Sequence, residues 1–211
     1  MKKIGLVVCV LLLVSSISFS LDISLGAKGA LGYSTFLGSD WKDYMDPWVR
    51  AGFLGVGAGG FVTLGFSDTF AVEPEIMFLR LGGADKESGT GKELFVSKYF
   101  AAAALLRLQL PQIYLLAGPM GLLKVGPGEY VIKPESGSDI TVEFPDDELS
   151  RFLLAATIGI GYQYPIGPGS LRGELRGIYA FSKWYNQELY TDNWTVFALM
   201  LMVGYSFSFQ R

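Results

Sequence analysis

The clearest alternation of apolar and polar positions lies near the C-terminus. Leu171, Gly173, Leu175, Gly177, Tyr179 and Phe181 fall on one face of an extended segment. Arg172, Glu174, Arg176, Ile178, Ala180 and Ser182 fall on the other. The last segment repeats the period, with Phe197, Leu199, Leu201, Val203, Tyr205, Phe207 and Phe209 opposite Ala198, Met200, Met202, Gly204, Ser206 and Ser208. Two more segments alternate in the same way. Phe152, Leu154, Ala156, Ile158, Ile160, Tyr162 and Tyr164 oppose Thr157, Gly159, Gly161 and Gln163; Ile23, Leu25, Ala27, Leu31 and Tyr33 oppose Ser24, Gly26, Lys28, Gly32 and Ser34. Period two over such lengths predicts β-strands with one apolar and one polar face.

The connectors supply the topology. Long polar stretches near 37–50, 82–94, 125–150 and 183–193 alternate with short turns at 67–69, 111–112 and 165–169. Seven connections join eight strands. Long loops on one side and tight turns on the other predict an all-β fold, an eight-stranded antiparallel up-and-down transmembrane β-barrel with both termini at the short-turn, periplasmic side. A soluble barrel would put the apolar face inside. Arg172, Glu174 and Arg176 sit opposite an aromatic-rich face, which favours apolar residues toward lipid and charges toward the lumen.

Aromatic positions bear on the same point. Trp41, Trp48, Trp184 and Trp194, with Tyr44, Tyr185 and Tyr190, fall at the long-loop end; Phe66, Phe70, Tyr162, Tyr164, Tyr205, Phe207 and Phe209 fall at the other. Two interfacial belts around an aliphatic band are expected. The best helix candidate after the leader, 99–123, holds Arg107, Gln109, Pro111 and Gln112 at its centre and reads better as two strands and a turn. Pro74 in a closed wall predicts a bulge.

Residues 1–20 read as a signal peptide, with Lys2 and Lys3 before an apolar core over 4–14 and cleavage before Leu21; residues 21–211 form the barrel domain. Cys9, the one cysteine, leaves with the leader. The glycine-rich first strand, the glycines between Phe53 and Phe66, "FAVEPEIMFLRLGG" from Phe70, "LLAGPMGLL" from Leu115 and "FALMLMVGYSFSF" from Phe197 resemble the bacterial outer-membrane β-barrel domain family, the porin-family-like and PorT-like small barrels of OmpA and OmpX shape. The resemblance implies the cell outer membrane of a Gram-negative envelope. It also implies membrane lipid as partner, and insertion machinery that reads the C-terminal strand through Gly204, Phe207 and Phe209.

Composition narrows the chemistry. With no histidine and no mature cysteine, Ser-His and Cys-His nucleophilic sites are excluded, and no enzyme activity is expected. A net charge of −3 argues against a nucleic-acid partner. No catalytic residue, cofactor or metal is assigned. The acids of loop 125–150 (Glu129, Glu135, Asp139, Glu143, Asp146, Asp147 and Glu148) and Asp40, Asp43 and Asp46 of loop 37–50 match no calcium-loop spacing; they read as a solvated surface, and both loops are candidate surfaces for an extracellular partner.

What remains is an inward charge cluster: Lys28, Glu73, Glu75, Arg107, Arg172, Glu174 and Arg176. In a lumen only wide enough for side chains, these charges must pair. The favoured reading is a salt-bridged plug in a structural or surface-interaction protein. The alternative is a narrow porin-like channel for ions or small solutes, with Gly55, Gly57 and Gly59 leaving space opposite the long side chains.

Overall fold

In lipid, every backbone N–H and C=O must find a partner within the protein, and a strand sheet achieves this only by closing on itself. The computed structural model does so. It describes residues 22–38, 51–87, 91–134, 137–145, 147–186 and 193–209; the leader expected over 1–20 lies outside them. Ten strands follow in order: β1 (Asp22–Leu37), β2 (Ala51–Gly65), β3 (Phe70–Glu87), β4 (Gly91–Gln109), β5 (Ile113–Lys124), β6 (Glu129–Lys133), β7 (Ile140–Glu143), β8 (Phe152–Ile166), β9 (Gly169–Lys183) and β10 (Thr195–Phe209). Eight of them form the wall, each antiparallel to its neighbours. β5 pairs with β8 across the long third loop, β3 pairs with β4, and β10 pairs with β1 to shut the ring.

The two short strands extend the sheet beyond the wall. β6 pairs with the upper part of β4 and β7 pairs with β6. This corrects the connector expected at 82–94. Ala84 pairs with Leu94, and pairing continues to Glu87 opposite Gly91, so most of that stretch is strand. Its glycines and charges read as a loop, but β6 supplies the partner that the projecting hairpin needs. The short turns at 67–69 and 111–112 fall where expected and the turn at 165–169 shrinks to Gly167 and Pro168, whereas the connector at 125–150 holds β6 and β7, and most of 37–50 and 183–193 lies outside the described residues. Gly167 takes φ 59°, a left-handed conformation that a side chain would disfavour.

The expected bulge at Pro74 is absent. Pro74 faces outward, its ring exposed. The β2–β3 ladder lapses there, between Phe61↔Glu75 and Leu64↔Val72, without changing register. Losing one N–H costs a hydrogen bond but inserts no residue, so the wall runs straight past. The register shifts fall elsewhere, between Gly52 and Val56 and between Thr195 and Phe197.

Facing follows the alternation. Leu31, Leu54, Ile158, Leu175, Phe181 and Leu201 are exposed on the outer face, while Arg172, Glu174, Arg176, Met200 and Met202 are buried inside. An outer surface this apolar, wrapped around a polar and packed interior, is stable only against lipid.

Candidate functional site

Each of the seven charged residues predicted to face the lumen does so, and all are at least 95% buried. Neighbouring inward positions on one strand stand two residues apart, so the cluster forms tiers along the barrel axis. In the tier nearer the middle, Arg176 donates to Glu75 at 2.5 Å and to Glu174. Lys28 lies 2.6 Å from Glu75 and 3.4 Å from both Glu174 and Glu73. Two cations face two carboxylates there.

The tier nearer the short turns is built on Glu73. One of its oxygens, Oε2, accepts from Arg172 at 2.8 Å, Arg107 at 3.0 Å and the Thr63 hydroxyl at 2.8 Å. Arg107 also donates to Gln109 and Gln163, and Arg172 to Ser206, Ser24 and Thr63. Two aromatic rings complete the packing. The Arg107 guanidinium lies 3.7 Å from the Tyr114 ring centre, and both Lys28 and Arg172 stand 4.6 Å from that of Phe61. The Tyr114 hydroxyl donates to Glu174 at 2.8 Å. These rings fit because glycine stands beside them: a Cβ on Gly161 would lie 2.2 Å from Tyr114, and one on Gly26 would lie 2.3 Å from Phe61.

Phe61, Thr63, Gln109 and Tyr114 were not picked out from sequence. Gln109 and Thr63 lie close to turns, and an inward aromatic looks like an outward one unless its strand is counted residue by residue. The glycines that accommodate the rings were the available signal.

Above the charges the lumen is apolar. Met77, Leu79, Leu81, Leu105, Met120, Ile178 and Met200 are buried together. The inward glycines of β2 leave no passage, contrary to the space expected at Gly55, Gly57 and Gly59. A Cβ on Gly57 would meet Leu79 at 2.4 Å, one on Gly59 would meet Met77 at 2.7 Å, and Leu81 and Met200 stand 3.3 and 3.4 Å from one on Gly55. Beside the charges, the gap bounded by Lys28, Phe61, Arg172, Glu174, Met202 and Gly204 has no room for a water molecule.

At the long-loop end, Trp184 and Trp194 overturn the interfacial belt expected of them. They are 1% and 5% exposed and stack 6.1 Å apart over the mouth. Phe36 lies 4.7 Å from Trp184, and Phe95 lies 5.6 Å edge-on from Trp194. Tyr185, also expected in that belt, is buried 4.9 Å from Trp184. The indoles gain more by covering the apolar lumen than by lying in the headgroup region. The Trp184 backbone N–H donates to the Trp194 carbonyl at 2.7 Å, which ties the ends of β9 and β10 together beside the stacked indoles. At the short-turn end, Phe70, Tyr162, Tyr164, Phe207 and Phe209 are exposed as a belt requires. Trp41, Tyr44, Trp48 and Tyr190 lie outside the described residues.

The acids of the third loop are partly paired. Glu129 takes Lys98 at 2.6 Å and Arg80 at 3.2 Å, and Lys133 lies 3.1 Å from Asp139. The hydrogen bond from Lys98 holds the Glu129 carboxyl below the usual carboxylate range; burial opposes it, and the hydrogen bond from Arg80 adds to it. Among the described residues no group of three acids gathers as a metal cage would. Glu135, Asp146 and the acids of loop 37–50 lie outside them.

The chain is a closed eight-stranded β-barrel whose apolar outer face fits lipid. No protein-family model matches it, and neither does any curated protein. Among solved structures it is similar to Ail, the attachment invasion locus protein of Yersinia pestis, in complex with the heparin analogue sucrose octasulfate. Identity is 17% over 89% of this chain and 99% of that one, with a TM-score of 0.45. Neisserial surface protein A matches at 13% identity over 86% of this chain and 95% of its own, and OprG of Pseudomonas aeruginosa at 14% over 92% and 98%, both with TM-scores of 0.45.

Proposed function

We propose that this barrel is a non-conducting protein of the cell outer membrane whose lumen is a fixed structural plug and whose extracellular loops meet an external partner. One observation carries the reading: the buried side chains are continuous along the axis. They run from Arg172 and Glu73 through Glu75, Met77 and Leu79 to Trp184 and Trp194. An ion would have to displace a paired charge layer, then an apolar layer, then an aromatic one, and each is costly to open.

The projecting sheet of β3, β4, β6 and β7 supports the surface role. Its Ala84, Leu94, Val96 and Val131 join Phe53 of β2 in a small core separate from that of the lumen. The external partner belongs to loops 37–50 and 125–150, and the insertion machinery would read β10, whose Phe207 and Phe209 project outward. The leader over 1–20, removed before Leu21, completes the proposed route to this membrane.

Single-channel recording on folded protein in a planar bilayer tests the plug. Silence is expected. Discrete, ion-selective conductance steps would replace this reading with a narrow channel.

A further inference from the structure

Four cations and three carboxylates share the charge layer, and the surplus is not spread evenly. Arg176 and Lys28 balance Glu75 and Glu174, whereas Arg107 and Arg172 converge on one oxygen of Glu73. Arg107 and Arg172 are 2% and 4% exposed, so water reaches their excess charge only through the cavity they border. This cavity, of about 230 Å³, opens at the short-turn end of the barrel. Its lining also includes the neutral, hydrogen-bonding Ser24, Thr63, Gln109, Gln163 and Ser206, beside the buried Ala71 and the exposed Ser208. Hydroxyls and amides can turn a donor toward an anion without adding charge of their own. Asp22 and Asp68 also border the cavity, but both are exposed to solvent. Their fields are screened, and they weigh most against a doubly charged guest.

We propose that this cavity binds one small carboxylate from the periplasmic solution, held against Arg107 and Arg172 as the missing fourth counter-charge of the layer. A planar carboxylate matches the guanidinium fork, and one negative charge brings the layer to neutrality. The site uses only the periplasmic end of the lumen, so it is independent of any partner at the extracellular loops.

The test uses the full barrel folded in detergent, with acetate as probe at fixed pH and ionic strength and a bulky sulfonate as the balancing anion. Arginine side-chain NMR reports the site, and the unfolding midpoint reports its linkage to stability. Acetate should shift the Nε–H signals of Arg107 and Arg172 saturably, leave that of Arg176 nearly still, and raise the midpoint. Inorganic phosphate at neutral pH should bind more weakly. Gln163→Glu places a carboxylate within reach of Arg107, so this variant should be more stable than the parent without acetate and should bind acetate at least about tenfold more weakly. Because that substitution adds a counter-charge, it does not rely on a crippled fold. Arginine signals that ignore acetate, a response as large at Arg176 as at Arg172, or equal acetate affinity in parent and Gln163→Glu would each overturn the proposal.

Discussion

Replacing Arg176 by methionine is the sharpest probe of whether the lumen is dry. The side chain is completely buried, with one N–H on Glu75 at 2.5 Å and another on Glu174. Methionine keeps much of the volume, so the loss is mainly electrostatic. Without Arg176, Glu75 and Glu174 share only Lys28, at 2.6 and 3.4 Å. Breaking a buried pair while its partner stays charged costs about 3–5 kcal/mol. That is a large part of the total stability of an ordinary domain. Adding Glu75→Gln removes the stranded charge, leaving Lys28 with Glu174. The double variant should therefore recover at least half of the loss, a coupling that only interacting residues show. Denaturant unfolding in lipid vesicles, followed by tryptophan fluorescence, measures both. If Arg176→Met unfolded within about 0.5 kcal/mol of the parent, as surface substitutions do, the charge layer would be hydrated and the plug refuted.

Two further outcomes follow from the upper structure. In a variant keeping Trp184 as its sole tryptophan, with the others changed to phenylalanine, brominated acyl chains should quench the emission weakly because Trp184 covers the lumen; strong quenching would return it to the lipid interface. The Glu129 carboxyl is held below its usual range by Lys98 and Arg80, so its stabilising effect is present above the unfolded value of about 4.3 and is lost as pH falls through the lower folded value. Hydrogen-exchange protection of β6 relative to the barrel wall should fall on acidification in the parent and stay flat in Glu129→Gln; parallel profiles would show that the ion pairs do not hold the hairpin.

The faces of β1, β8, β9 and β10 were legible in the sequence because period two fixes them. The same count, carried further, also held what was missed. Trp184, just past the end of β9, keeps the parity of Ala180 and Ser182, and Trp194, just before β10, keeps that of Val196 and Ala198, so the count puts both indoles on the lumen side. The prior that tryptophan at a strand end marks an interface outweighed the alternation, wrongly. Alternation assigns a face but no partner across the barrel. The pairing of Arg172 with Glu73 and of Arg176 with Glu75 spans 99 and 101 residues and depends on closure and stagger of the whole ring. Nor could sequence reveal that the 82–94 stretch is strand, since the partner that stabilises it, β6, lies within what read as loop.

The two tiers differ in a way that dielectric arguments explain. A net charge is tolerated best where water or a mobile ion can approach it, and worst where packed apolar atoms surround it. The balanced tier of Arg176, Lys28, Glu75 and Glu174 lies against the apolar layer of Met77, Met200 and Ile178, where an unpaired charge would have no recourse. The unbalanced tier of Arg107, Arg172 and Glu73 lies against the open cavity. Exchanging the two arrangements would keep every residue type and the same total charge, yet would bury the surplus beneath both layers. The order of charges along the lumen is therefore a constraint separate from their number. It places the surplus charge beside the cavity at the short-turn end and leaves the long-loop end to apolar and aromatic packing.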